Sequence, residues 1–167
     1  MLKYIGGACT MILLCGAFFM TSGCSAIGRQ EFVVGKDIDL ADVKDFYYTI
    51  DASTYPPEFQ RYRFTNKDGQ YSFYYEKREG NSWPLREKDI TVSGTVKLTD
   101  GQWREFCDYI KDGKVTKRKD NVNAGGRGPW LYLYWTKDKG TYQVFAFADN
   151  VKKQGFEKLC LELKQKK

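Results

Sequence analysis

The residues able to do chemistry in this sequence are five cysteines, a set of spaced aspartates, a glycine-rich loop, a basic stretch and a strand of tyrosines and tryptophans. Histidine is absent, which excludes Ser-His-Asp triads, Cys-His nucleophile pairs, HExxH zinc sites and imidazole proton shuttles. Cys107 and Cys160 lie on apolar stripes. With no base beside them they read as buried thiols or as a disulfide with each other, not as nucleophiles. Asp37, Asp39 and Asp42 lack the turn glycine and closing glutamate of a calcium loop, so a solvated acidic segment is the expectation. No metal site and no cofactor is expected. Asn123-Ala-Gly-Gly-Arg-Gly-Pro129 is followed by a strand and not by Gly-Lys-Ser/Thr and a helix, so it reads as a mobile loop, not as a phosphate cradle.

Two features point to binding. Lys111, Lys114, Lys117, Arg118 and Lys119 form a basic cluster that could meet anionic headgroups or polymers, with a solvated loop as the plainer reading. No helix-turn-helix or RNP-like pattern accompanies it, so nucleic acid is not expected. Trp130, Tyr132 and Tyr134 alternate with Leu131, Leu133 and Trp135. Tyrosine and tryptophan offer flat apolar area with a polar tip, which makes Trp130, Tyr132 and Tyr134 a candidate binding face. Tyr48 and Tyr74 could join them along an exposed groove. The alternative is that these rings pack under loops. Carboxylates are plentiful, but no two stand at a spacing that marks a catalytic pair, so an enzyme is not expected.

The elements that must position these groups are mostly strands. The chain has 167 residues, net charge +6 and 16% aromatic residues, which suits one β-rich domain. Phe46–Ile50 reads as a strand stopped by Tyr55-Pro56-Pro57. Phe59–Phe64 and Tyr71–Tyr75 flank Asp68-Gly69, a strong hairpin signal. Lys77–Lys88 reads as a polar loop around Trp83-Pro84. Ile90–Leu98 alternates without a fault, which predicts a strand with one buried and one wet face. Thr99 with Gln102 has capping-box spacing, and Trp103, Phe106, Cys107 and Ile110 make a helical stripe that Gly113 can close. Trp130–Trp135 and Tyr142–Phe147 form a second hairpin, and Phe156, Leu159, Cys160 and Leu163 repeat the earlier stripe at an offset of 53 residues. The expected fold is α+β: an antiparallel sheet of about five to seven strands with two helices on one face.

The amino terminus is an address. Lys3 precedes an apolar run from Tyr4 to Met20, and Thr21-Ser22-Gly23-Cys24 follows, the plan of a secretory signal. Thr21-Ser22-Gly23-Cys24 resembles the lipobox of bacterial lipoproteins, with Thr21 where that family usually has Leu. The resemblance implies that the chain is cut before Cys24, that Cys24 carries a diacylglycerol, and that the protein is held at a membrane facing outward. Ser25 would permit outer-membrane sorting where an outer membrane exists. Residues 1–23 are then the signal peptide, 24–44 a tether and 45–167 the domain. The expected role is binding or structural in the cell envelope, with a polymer or a protein as partner. The alternatives are a carbohydrate- or peptidoglycan-processing enzyme using paired carboxylates, or an inhibitor or immunity-type module.

Overall fold

The computed structural model describes residues 32–117, 129–135 and 143–166. They form one seven-stranded antiparallel sheet with two helices on one of its faces, an α+β fold. The strands are β1 (Val43–Thr54), β2 (Pro57–Lys67), β3 (Gln70–Glu79), β4 (Ile90–Lys97), β5 (Thr116–Lys117), β6 (Trp130–Trp135) and β7 (Gln143–Ala146). Their order across the sheet is β4-β3-β2-β1-β6-β7-β5. The helices are α1 (Asp100–Asp112) and α2 (Asn150–Gln165).

Local chemistry sets the boundaries. Asp68 and Gly69 both take positive φ, 52° and 83°, which the two-residue β2–β3 turn demands and which Asp-Gly supplies. The Gly69 N–H donates to Asn66 Oδ1 at 3.0 Å. At the start of α1, Thr99 Oγ1 accepts from Gln102 N at 3.3 Å while Gln102 Oε1 accepts from Thr99 N at 2.9 Å. This capping box satisfies two amides that the helix leaves open. Gly113 does follow α1, but in right-handed conformation, and Lys114 carries the positive φ of 48°. Glycine is required at 113 for space: a Cβ there would stand 2.6 Å from Phe147 Cδ1 and from the Tyr109 carbonyl.

Period-two alternation divides the sheet into two unlike faces. Phe46 and Tyr48 on β1, Tyr62 and Phe64 on β2, Phe73 on β3, and Leu131 and Leu133 on β6 point to the helices and are buried. From the helices come Trp103, Phe106 and Ile110 of α1 and Phe156, Leu159, Cys160 and Leu163 of α2. Phe64 stacks on Phe106 with centroids 4.1 Å apart, and Phe46 meets Phe106 and Phe156 edge-on at 5.1 and 5.7 Å. Such pairs add to the area they bury.

Two expectations need correction. The later part of the stretch read as a tether belongs to the domain: Val34 and Ile38 are in the core, the Val34 N–H donates to the Val115 carbonyl at 2.8 Å, and Leu40–Asp42 forms a 3-10 turn capped by Asp39. Apolar residues spaced between the aspartates drive this, since each buries a side chain while its charged neighbours stay wet. The strand Ile90–Lys97 alternates as read, but its apolar side is only shallowly buried, and Val92 remains 44% exposed. β4 is the sheet edge, and Tyr75 lies across Gly94, where a Cβ would come within 2.6 Å of its hydroxyl.

Candidate functional site

Among the described residues no element packs over the second face of the sheet, and that face is where polar and aromatic side chains assemble. Register places them in rows that cross the strands. One row runs Lys97, Ser72, Thr65, Asp45, Tyr134; the next runs Thr95, Tyr74, Arg63, Tyr47, Tyr132. A third holds Ser93, Glu76, Arg61 and Thr49, and Arg78 lies opposite Phe59 beyond it.

The arginines and rings of these rows interlock. Arg63 Nε donates to Asp45 Oδ1 and Oδ2 at 3.0 and 3.1 Å, and its guanidinium stands 4.9 Å from the centre of the Tyr47 ring. Arg61 lies over both Tyr47 and Phe59, each at 5.2 Å, and Arg78 covers Phe59 at 5.4 Å. Glu76, 4% exposed, accepts from Arg78 twice at 3.1 Å and from the Tyr74 hydroxyl at 2.9 Å, with Arg61 Nε at 3.5 Å. A carboxylate buried to this degree is tolerated only when charge-assisted hydrogen bonds replace its water. Here two arginines and a phenol do so. Loss of water and the hydrogen bond to Glu76 together raise the Tyr74 phenol above its usual range, so Tyr74 is a neutral donor. The result is a continuous ribbon, Asp45–Arg63–Tyr47–Arg61–Phe59–Arg78, whose long side chains are held in place before any partner arrives.

Small side chains open a depression beside the ribbon. Thr65 and Ser72 share a hydrogen bond of 2.6 Å and form its floor. Arg63 and Tyr74 on one side and Lys67 and Lys97 on the other rise around a space of about 350 Å³. Across the whole face Arg61, Arg63, Arg78, Lys67 and Lys97 outnumber Asp45 and Glu76.

Tyr132 and Tyr134 of the expected binding face lie in register with Tyr47 and Asp45 and are partly exposed. Trp130 pairs with Thr49. Tyr74 belongs to the same face. Tyr48 does not: its even position on β1 turns it to the helices, where its hydroxyl donates to Glu157 of α2 and burial drives its pKa far up. Cys107 and Cys160 are separate free thiols, with no bridge between them. Burial, then the charge of Asp108, pushes the half-buried Cys107 up to about 11, and Cys160 is pushed well above its normal value by complete burial. Both are poor nucleophiles. Asp39 caps a turn and Asp37 accepts from the Val33 amide. Among the described residues no group of acidic or cysteine side chains could hold a metal ion. Arg118, Lys119 and residues 123–128 of the glycine-rich loop lie outside the described residues, as do the leader, Cys24 and the turn at 138–140.

Sequence reasoning passed over most of the ribbon. Its signal was present as Asp45-x-Tyr47, Phe59-x-Arg61-x-Arg63 and Tyr74-x-Glu76-x-Arg78. Each is a period-two string of charges and rings on one side of a strand whose other side is apolar. Asp45 and Glu76 lie on either side of β2 and four residues apart along the strands, roughly 16 Å between backbone positions, and each is bound to its own arginines. No family model, no curated protein and no solved structure matches the chain.

Proposed function

We propose that this is a lipid-anchored binding protein of the cell envelope that docks a protein partner on the open face of its sheet. The observation that carries the reading is the ribbon of Tyr47, Phe59, Arg61, Arg63 and Arg78 pinned by Asp45 and Glu76. Arginine and tyrosine dominate the energetic centres of protein interfaces, and side chains already fixed lose little entropy on binding. Rows and strands give the face a span of about 20 Å in each direction, the scale of an interface centre. Its surplus of arginine and lysine favours a partner that presents carboxylates, which would steer the encounter. The lipobox-like Thr21-Ser22-Gly23-Cys24 fits the same picture, since a lipid on Cys24 would confine the domain to one surface.

A photo-crosslinking amino acid placed at Tyr132 tests the reading in intact cells, with the same group at Arg104, exposed on α1, as reference. A discrete crosslinked species from 132 that is missing from 104 is expected, and Arg63→Glu should abolish it. Identical patterns from both positions would sink the proposal.

A further inference from the structure

The sheet has a second unusual surface at the end far from the start of β1. The β1–β2 turn and the connection from β3 to β4 meet there, because β1 and β3 run the same way. The Gly80 N–H donates to the Pro57 carbonyl at 3.1 Å and ties the two together. The connection holds two large apolar residues, and the smaller one is taken inside. Leu85 is 8% exposed and presses so closely on Gly80 that a Cβ would stand 2.8 Å from it. Trp83 is left 50% exposed, and Tyr55 in the facing turn is 91% exposed. Burying a tryptophan is worth more than burying a leucine in proportion to its area, so a loop that buries Leu85 and presents Trp83 spends stability to keep the ring in water.

Trp83 and Tyr55 border a groove of about 390 Å³ whose other walls include Thr54, Asn81 and Ser82. Among the described residues no charged side chain lines it, in a chain of which 29% is charged. We propose that this groove binds a neutral saccharide. A sugar ring has an apolar face that suits an indole or phenol, and hydroxyls around its rim that need both donors and acceptors. Asn81 offers both through its amide, and Ser82 and Thr54 through their hydroxyls. The absence of charge selects against phosphorylated or sulfated ligands, whose desolvation no cation here would offset. A protein partner is the less suitable occupant, since specific interfaces cover about 800 Å² a side and the groove is small. Twelve residues of β1 set it about 40 Å from the amino-terminal end of the strand, so a domain anchored through Cys24 would hold it outward.

The test is a titration of the intact domain with a short chitooligosaccharide and a short maltooligosaccharide, followed by backbone amide NMR and by the tryptophan fluorescence that Trp83→Ala removes. At least one should shift the amides of residues 54, 55 and 80–83 at millimolar or lower concentration. Trp83→Ala should weaken that binding at least about tenfold, and Tyr55→Ala should weaken it too. Both side chains are exposed, so melting temperatures should barely move, and if one variant is destabilised the other still decides. Tyr132→Ala, which alters the open sheet face, should bind the sugar as the parent does, so failure of either surface is read separately. No shift with either sugar, shifts confined to the open face, or binding unchanged in both aromatic variants would overturn the proposal.

Discussion

At the scale of single residues, Glu76 is the position on which the open face most depends. Glu76→Gln keeps the shape and removes the charge that Arg61, Arg78 and Tyr74 share. Breaking a buried pair from one side costs several kcal/mol, and with Arg61 about a third exposed we expect a loss of about 2–4 kcal/mol, measured by urea denaturation. Stability unchanged within error would mean the ribbon is not held by its carboxylate. A second outcome concerns pH. Tyr48 and Tyr74 are raised from 10.0, mainly by burial and then by their bonds to Glu157 and Glu76, and both thiols are raised from 9.0. A raised folded-state value contributes stability that is complete below the unfolded value and is lost above it. The free energy of unfolding should therefore fall as pH climbs past about 9 and more steeply past about 10. In Tyr48→Phe the steep part should shrink; a slope identical to the parent's would show that Tyr48 does not carry it.

At the scale of elements, the ends of α1 make the clearest tests. Thr99→Ala removes half of the capping box and should cost about 1 kcal/mol. Gly113→Ala forces a methyl against Phe147 and the Tyr109 carbonyl and should cost about 1–3 kcal/mol. Thermal melts of the two variants check the ranking, which would be overturned if Gly113→Ala were neutral. Elements were legible wherever one local signal sufficed: the Asp68-Gly69 turn, the Thr99–Gln102 box, and the stripes of Phe106 and Phe156 were all in the sequence. What was not legible depends on neighbours far along the chain. Whether β4 is central or an edge cannot be read from Ile90–Leu98 alone. Which side of β1 meets the helices likewise separates Tyr48 from Tyr47, although both are tyrosines in one strand. The ribbon was missed because its members come from three strands and become adjacent only in register.

At the scale of the whole molecule, the proposed anchor at Cys24 would decide where both surfaces act. Two or more acyl chains on Cys24 would hold the protein almost permanently, at about 0.8 kcal/mol for each buried CH₂. Cys24→Ser should abolish incorporation of a radiolabelled fatty acid and release the protein from the membrane fraction. Label retained in that variant would refute the lipobox reading. Among the described residues no helix is long and apolar enough to cross a bilayer.

The place of β1 in the sheet has a consequence for how the protein is made. Its partner on one side, β2, follows at once, but its partner on the other, β6, comes much later: Tyr47 pairs with Tyr62's neighbour Arg63 and also with Tyr132, 85 positions away. The first hairpins and α1 can form while the chain is still emerging. Joining β6 to β1 must then close a very long loop, which slows the final step. Until it does, the middle strand of the finished sheet is an open edge able to pair with another chain. The hydrophobic side of Phe46 and Tyr48 also waits for Phe156. The last forty residues thus act as the closing clasp of the domain, and a chain that lacks them should aggregate rather than persist as a smaller folded unit.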